Sequence, residues 1–241
     1  MAETDTHTQT DTQTETEAIR RFAYPVSLEL GGRRALVVGD LAVAHGKAEA
    51  LAGAGAEVTV VAEGPAAALD RLERDGRMTV RRRRFAPGDL DGMFLCVAAS
   101  PDPELRAAIH REARARQVLV NVMDDPEHCD FAAPAVVRRG DLVIAVSTGG
   151  RSPALASRLR EQLEQRYGPE WEALLDLLAE VRAQTIASLP DVDERIRRWR
   201  AALRLDEVEA LLRDDRRDEA RQRLLDRLSS ADGADTGEGG Q

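Results

Sequence analysis

The feature that most constrains this sequence is the passage from an apolar run into a helical pattern between Arg34 and Lys47. The apolar run Ala35–Val38 ends at Gly39, and apolar positions then recur with helical spacing from Val43 onward. A strand that turns directly into a helix is the first half of a βαβ unit. In nucleotide-binding folds this turn points backbone N–H groups and the positive end of the helix at a pyrophosphate. The sequence therefore predicts an α/β domain with a nucleotide-binding turn.

The turn departs from the usual dinucleotide-binding pattern. G-x-G-x-x-G/A reads Gly39-Asp40-Leu41-Ala42-Val43-Ala44 here, and of its glycines this chain keeps the first. Leu41 places a branched side chain where the backbone should approach the pyrophosphate, and Asp40 adds negative charge beside phosphates. The residues leave two alternatives open. Either the chain binds a dinucleotide through an altered turn, or it has lost that function.

The chain continues with alternating strands and helices, a pattern typical of a parallel, doubly wound sheet. The predicted helices cover Ala42–Ala54, Ala66–Arg74 and Glu104–Arg116. The predicted strands cover Ala35–Val38, Glu57–Ala62, Met78–Val80, Met93–Ala99 and Val118–Val122. We therefore predict an α/β fold with a Rossmann-like parallel sheet.

Four consecutive arginines, Arg81–Arg84, follow the third predicted strand. Such a run could grip phosphates, but alternate residues of a strand face opposite ways, so at most two would share a face. The sequence favours an edge strand that charge protects from pairing with other chains.

The carboxyl ends of the predicted strands are the expected ligand edge of the sheet. Glu63 follows the second strand, where dinucleotide-binding folds meet the adenosine ribose. Its carboxylate would favour NAD over NADP by repelling a 2′-phosphate, although a plain loop carboxylate explains it equally well. The candidate cofactor-binding residues are Gly39, Asp40, Leu41, Ala42, Val43, Glu63, Gly64 and Ala99.

A segment rich in acidic residues leaves the end of the fifth predicted strand. It runs from Asn121 to Ala135 and carries three aspartates, a glutamate and His128. Acid–base chemistry or metal delivery could be placed there, and turn chemistry is the alternative for Asp125-Pro126.

The second half of the chain begins with a predicted hairpin and continues as helices. Val136–Ser147 is predicted to pair about a turn at Gly140-Asp141, and Ser152 is predicted to cap a helix from Ala154 to Tyr167. The hydroxyls and glycines of Ser147–Pro153 would suit an anion, but the residues alone favour a plain helix start. Apolar stripes beyond Pro169 are typical of a helical core or a dimer seam.

Composition excludes several classes of function. Aromatic residues make up only 3% of the chain and its net charge is −9, which argues against nucleic-acid binding through stacked bases or a basic surface. The sequence shows neither a long apolar span nor a signal peptide, so we expect a cytoplasmic protein that does not enter a membrane. Cys96 and Cys129 lack pairing or metal-ligand spacing, and we expect thiols rather than a disulfide.

Several of these segments together resemble the precorrin-2 dehydrogenase / sirohydrochlorin ferrochelatase family, which includes the N-terminal module of siroheme synthase. The resemblance covers Tyr24 to about Leu228 and depends on the order and spacing of its pieces. The weaker pieces are Tyr24-Pro25-Val26, Leu36-Val37-Val38-Gly39, Lys47, Gly53-Ala54-Gly55-Ala56, Val58–Ala62, Arg84-Phe85 and Asp89-Leu90. The strongest are Asn121-Val122-Met123-Asp124-Asp125-Pro126, Phe131-Ala132-Ala133-Pro134-Ala135 and Ser147–Ala156.

The resemblance implies an enzyme of siroheme synthesis that oxidises precorrin-2 to sirohydrochlorin with NAD, and in some members also inserts ferrous iron. Asp124 aligns with the aspartate implicated in both reactions and would act as a base. The substrate-binding residues it implies are Asn121, His128, Thr148, Gly149 and Ser152. It assigns no resident metal ligands, and it implies a homodimer with a tetrapyrrole substrate.

The implied organisation has three folded parts between two tails. A Rossmann NAD-binding domain is expected over residues 21–122, a dimerisation and substrate segment over 123–168, and a helical domain over 169–228. Residues 1–20 and 229–241 are expected to be disordered. Because the phosphate turn is altered, two alternatives remain: a sirohydrochlorin chelatase that needs no NAD, and a non-enzymatic carrier of tetrapyrrole or metal.

Overall fold

The computed structural model describes residues 22–64, 67–186 and 188–230. The chain forms two compact units, of which the first ends at Ala133 and the second begins at Pro134. The predicted tail over residues 1–20 lies outside the described residues, as does the predicted tail from residue 231 onward. Ser229, which the sequence placed in that second tail, is the last residue of a helix.

The first unit alternates strands and helices in the predicted order. Its strands are β1 (Arg34–Val38), β2 (Glu57–Ala62), β3 (Met78–Arg82), β4 (Leu95–Ala98) and β5 (Leu119–Val122). Its helices are α1 (Ala42–Gly53), α2 (Ala67–Arg74) and α3 (Pro103–Ala115), with short 3-10 helices at Pro87–Leu90 and Pro126–His128. The predicted strand Met93–Ala99 was too long, because Met93 and Phe94 belong to the turn that enters β4.

The five strands form one parallel sheet in the order β3-β2-β1-β4-β5. The predicted Rossmann-like fold is therefore confirmed. The order of the strands reverses between β1 and β4, and in open α/β sheets ligands bind beside the carboxyl ends of the strands at this reversal.

Apolar residues cover both faces of the sheet, as a parallel sheet between helices requires. Val37 and Val60 pack on one face with Ala44 and Ala48 of α1. On the other face, strand residues such as Leu36 and Val120 pack with Ile109 and Ala113 of α3. This arrangement explains why the central strands read as unbroken apolar runs.

Gly39 lets β1 and β4 approach each other at the strand reversal. Its φ is +140°, and a Cβ placed on it would lie 2.3 Å from the carbonyl oxygen of Ala99. Its N–H donates to the carbonyl of Val61 at 2.9 Å, which ties the same residue to β2. The sheet itself therefore demands a glycine here, whatever the turn binds.

The arginine run ends the edge strand β3, as predicted, and it also holds a buried carboxylate. Arg81 of β3 and Arg83, just after the strand, both donate to Asp89, at 2.7 and 2.8 Å. The Asp89 side chain is only 2% exposed and also accepts from the Ala86 N–H at 2.9 Å. Arg82 faces the other way and binds Asp70 and Glu73 of α2.

The second unit consists of a hairpin followed by helices. The hairpin pairs β6 (Ala135–Arg139) with β7 (Leu142–Val146) in antiparallel register. The helices are α4 (Pro153–Arg166), α5 (Glu170–Thr185), α6 (Val192–Ala202), α7 (Leu205–Arg213) and α8 (Arg217–Ser229). Ser152 caps α4 through a hydrogen bond from the Leu155 N–H at 3.3 Å, as the sequence predicted.

The last four helices enclose their own apolar core. Its largest fully buried members are Leu177 of α5 and Leu224 of α8, and Val208 of α7 packs with them. Most apolar positions predicted beyond Pro169 belong to this core or pack against it, whereas Ile186, Ile196 and Leu205 are exposed. Within the described residues, no helix is both long enough and apolar enough to cross a membrane.

We predict that Asp89→Asn destabilises the protein in a pH-dependent way. The hydrogen bonds from Arg83, then from Ala86 and Arg81, lower the pKa of Asp89 from its ordinary value of 3.8 to about 2. The ionised carboxylate should contribute about 2 kcal/mol, fully present above pH 4 and lost as the pH falls through 2. Urea unfolding of wild type and variant from pH 7 downward measures this difference.

The control for Asp89 is Asp91→Asn, which removes a carboxylate that is 70% exposed and paired with Arg116. It should change the free energy of unfolding by less than about 0.5 kcal/mol. A stability gap between wild type and Asp89→Asn that stayed constant down to pH 2 would contradict the assigned role of the charge.

We predict opposite effects for two glycine substitutions in the same βα unit. Gly39→Ala should lower the free energy of unfolding by about 2 kcal/mol or more, since its Cβ would collide with the Ala99 carbonyl at a positive φ. Gly46→Ala should raise it by up to about 1 kcal/mol, because Gly46 lies inside α1 and a Cβ there has nothing within 4 Å. Thermal and urea unfolding measure both changes. If Gly39→Ala and Gly46→Ala changed the free energy of unfolding by the same amount, the close approach of β1 and β4 would be refuted.

Candidate functional site

The start of α1 offers backbone donors that no side chain of the helix occupies. Leu41 is the N-cap residue, its backbone is extended, and its side chain cannot accept a hydrogen bond. The first turn also contains no acidic residue. The N–H groups of a first helical turn have no partner within the helix and attract anions. This end of α1 therefore fits a phosphate group, although the glycine-rich pattern is incomplete.

The apolar side chains of the altered turn lie outside the core. The side chain of Leu41 is 37% exposed and that of Val43 40% exposed, so neither packs into the core. Asp40 lies beside the loop after β2, where a Cβ on Gly64 would come within 3.0 Å of its carboxylate. Both Asp40 and Gly64 thus belong to one rim of the site.

A crevice of about 340 Å³ opens at the carboxyl ends of β1, β2 and β4. Gly39, Asp40 and Glu63 line it, as three of the predicted cofactor-binding residues. Arg83 lines it as well, which the sequence did not indicate. Volumes of this order are typical of small-molecule sites and would accommodate the nucleoside half of a dinucleotide.

Glu63 already has a partner at the mouth of this crevice. Its carboxylate accepts from Nε of Arg84 at 3.2 Å, and both side chains are largely exposed. An ion pair in this position is weak, so a ribose hydroxyl can replace the arginine at little cost.

The loop after β4 forms a fixed wall of the crevice. Asp102 caps α3 by accepting from the Glu104 N–H at 2.9 Å, and its own N–H donates to the Ser100 hydroxyl at 3.2 Å. Arg106 donates to the carbonyls of Ser100 and Pro101 at 2.9 and 3.0 Å. The sequence did not predict this role for Arg106. Ala99, a predicted cofactor residue, leads into this wall and is buried against Gly39.

Asp124 lies just beyond the end of β5, on the same edge of the sheet. The preceding N–H, of Met123, donates to the Ala98 carbonyl at 3.0 Å and anchors the turn to β4. Asp124 itself has φ +57° and an exposed side chain. Among the described residues its carboxylate has no hydrogen-bond or ion-pair partner. It is thus available to accept a proton from a substrate.

His128 contacts a different carboxylate. Its Nδ1 lies 2.8 Å from the Asp125 carboxylate, and its ring meets that of His110 edge-on at a centroid distance of 4.6 Å. Burial lowers the pKa of His110, and the charge on His128 lowers it further. The part of the chain that the structure describes contains no cluster of three His, Cys, Asp or Glu side chains suited to a metal ion.

Asn121 and Asp130 hold the acidic segment against β5. The Asn121 amide donates to the Phe131 carbonyl at 2.9 Å, and the Asp130 carboxylate accepts from the Val120 N–H at 3.0 Å and from Arg114 at 2.8 Å. These contacts give Asn121 a structural task beside the substrate role that the resemblance implies.

The other predicted substrate residues lie in the second unit, in the loop before α4. The Thr148 hydroxyl exchanges hydrogen bonds of 3.1 Å with the backbone N–H and carbonyl of Ser152. Gly149 turns this loop with φ +61°. The structure thus brings Thr148, Gly149 and Ser152 together, and their contact with a substrate stays a prediction.

Comparison with known proteins points to one family. Residues 26–135 match a family described as putative NAD(P)-binding, and residues 139–166 match the sirohaem biosynthesis protein central domain. The siroheme synthase of Azotobacter vinelandii is 42% identical over 175 residues, which are 73% of this chain and 38% of that protein. The siroheme synthase of Chromobacterium violaceum is 37% identical over 212 residues, which are 88% of this chain and 45% of that protein.

A solved structure extends this similarity to the fold. SirC, precorrin-2 dehydrogenase, superimposes with a TM-score of 0.62 at 28% identity, covering 85% of this chain and 98% of that structure. The chain spans less than half the length of the two siroheme synthases. Both matched families, both relatives and this structure agree, and the first unit is an NAD(P)-binding domain. The chain belongs to the precorrin-2 dehydrogenase / sirohydrochlorin ferrochelatase family, which includes the siroheme synthases.

Proposed function

We propose that this protein oxidises precorrin-2 to sirohydrochlorin with NAD, as a step of siroheme biosynthesis. The observation that carries the proposal is the exposed carboxylate of Asp124, which has no partner among the described residues and follows the carboxyl end of β5, the strand next to β4. The similarity to SirC, precorrin-2 dehydrogenase, over nearly that whole structure supports the choice of reaction.

The reaction removes two electrons and two protons from the macrocycle, as one hydride and one proton. NAD, when bound, accepts the hydride. Asp124 takes the proton from the macrocycle carbon or nitrogen that loses it, and its exposure lets the proton pass on to water. Its backbone is left-handed, a conformation that costs energy for a residue other than glycine and is often found at functional positions.

The residues of the crevice and of the adjoining start of α1 would hold the cofactor. The uncapped N–H groups at Ala42 and Val43 would bind the pyrophosphate, and Gly39 provides the tight turn that leads to them. Glu63 accepts from the ribose hydroxyls, which selects NAD because a 2′-phosphate would meet a carboxylate. Asp40 and Gly64 form the rim, and Ala99 leads into the wall at Ser100.

A second activity, insertion of ferrous iron into sirohydrochlorin, would use the same carboxylate. Asp124 has no competing ion pair in the described chain, so it can accept the protons that pyrrole nitrogens release when iron, as a substrate, enters. Asn121, His128, Thr148, Gly149 and Ser152 remain the proposed substrate contacts, in a homodimer. This activity needs no NAD, so it also represents the alternative function if the altered turn prevents cofactor binding.

We predict that Asp124→Asn abolishes the reaction and spares cofactor binding. The amide keeps the shape and tolerates the left-handed backbone, but it cannot accept a proton. Precorrin-2 oxidation followed optically should fall at least about 100-fold, with the NAD Kd from calorimetry unchanged. The control Glu127→Gln removes a neighbouring exposed carboxylate and should keep wild-type turnover. Undiminished oxidation by Asp124→Asn would contradict the base, and no oxidation by the wild type would leave chelation or carriage.

We predict that Glu63 determines the choice between NAD and NADP. Wild type should bind NAD more tightly in calorimetry, and Glu63→Gln should narrow that preference about tenfold by removing the repulsion of a 2′-phosphate. The control Glu49→Gln removes another exposed glutamate paired with an arginine, Arg77, and should leave both affinities unchanged. Tighter binding of NADP by the wild type would mean that Arg84 governs this position and that NAD is the wrong assignment.

A further inference from the structure

An open apolar groove runs between α5 and α6 of the second unit. It encloses about 590 Å³, and its floor consists mainly of Leu175, Leu178, Ile196 and Trp199. Part of this apolar surface is open to water, since Val192 is 55% exposed and Ile196 is 45% exposed. A concave apolar surface with a few charged groups at its edge has the usual composition of a small-molecule site.

Arginines without acidic partners surround this floor. Arg182, Arg195 and Arg200 line the groove, and none of them forms an ion pair with a described carboxylate. Arg195 donates to the Leu189 carbonyl at 2.7 Å, and Arg182 and Arg200 are exposed.

Most other arginines in the region from α5 to α8 do have acidic partners. Ion pairs engage Arg198, Arg213, Arg216, Arg217, Arg221, Arg223 and Arg227. Two arginines outside the groove, Arg197 and Arg204, are exposed and lack a described acidic partner. The groove thus gathers three unneutralised cations around an apolar floor, on a chain whose net charge is −9.

The dimensions and charges of the groove select a class of ligand. Its volume lies within the usual range of small-molecule sites, whereas a stable protein interface needs about 20 or more residues on each side and nine line this groove. A fitting ligand has a broad apolar body that can cover the Trp199 indole and several carboxylates at its edge for the arginines. A carboxylated tetrapyrrole has this distribution of charge.

We propose that the α5–α6 groove binds a polycarboxylated tetrapyrrole, the class of molecule to which the proposed substrate belongs. The macrocycle covers the apolar floor, and its peripheral carboxylates pair with Arg182, Arg195 and Arg200. The inference rests on the proposed function for the identity of the ligand, because precorrin-2 and sirohydrochlorin both carry eight carboxylates. It adds tetrapyrrole-binding residues within the second unit that the sequence motifs do not indicate.

Titration of the full chain with uroporphyrin, a stable octacarboxylate, tests the groove by calorimetry. Wild type should bind it in the micromolar range, more tightly than mesoporphyrin, which has two carboxylates. Arg182→Gln with Arg200→Gln should weaken uroporphyrin binding about tenfold. The matched control, Arg197→Gln with Arg204→Gln, removes the same charge from outside the groove and should leave the affinity unchanged.

A second pair of variants tests the apolar floor. Ile196→Asp places a carboxylate in the groove and should weaken binding of both porphyrins. The control Leu205→Asp places a carboxylate outside the groove, at a position on α7 that is 41% exposed, and should leave both affinities unchanged. Circular dichroism confirms that each variant is folded.

The outcomes separate the groove from the proposed function. If the groove pair and the control pair of arginine variants lost uroporphyrin binding equally, the proposal that the groove binds tetrapyrrole would be overturned. It would also be overturned if the wild type oxidised precorrin-2 but did not bind uroporphyrin. Dissociation of a dimer by Ile196→Asp, with porphyrin affinity unchanged, would overturn it in favour of a contact between two copies of the chain. Selective loss in the groove variants supports it, even if the wild type does not oxidise precorrin-2 and the proposed reaction therefore fails.

Discussion

The close approach of β1 and β4 at Gly39 is the constraint on which the geometry of the site depends. The Gly39 backbone lies so near the Ala99 carbonyl that no side chain fits between them. This contact brings the turn after β1, the loop after β2 and the fixed wall at Ser100 around one crevice. Because β5 pairs with β4, the same edge of the sheet also carries the turn at Asp124.

This constraint explains which part of the nucleotide-binding pattern survives in the sequence. The first glycine is required by the sheet, so its loss would cost stability even without a ligand. The position of the second glycine holds Leu41, whose side chain is exposed and meets no demand of the fold. A glycine there serves only the approach of a ligand. Sequence reasoning could therefore predict the strand, the turn and the helix from Gly39. It could not predict whether Leu41 prevents a dinucleotide from binding.

The strands and helices followed from periodicity, whereas the contacts between side chains did not. Apolar runs and glycines place each element of the sheet to within a few residues, because burial on both faces leaves a local pattern. The pairing of Arg81 and Arg83 with Asp89 joins residues that no local pattern connects. The buried Asp89 carboxylate holds Arg81 and Arg83 in place at the end of the edge strand, and Arg83 also lines the crevice.

The three aspartates after β5 show how the structure separates a candidate base from its neighbours. Asp125 is engaged by His128, and Asp130 is engaged by Arg114 and the edge of β5. Asp124 keeps its carboxylate exposed while its backbone takes a positive φ. Among the other non-glycine residues with positive φ, Gln117 and Asp215 follow helix ends, where this conformation is ordinary. Asp124 instead follows strand β5, so the end of a helix does not explain its left-handed backbone. This conformation occurs where an ionisable group is exposed at the ligand edge of the sheet.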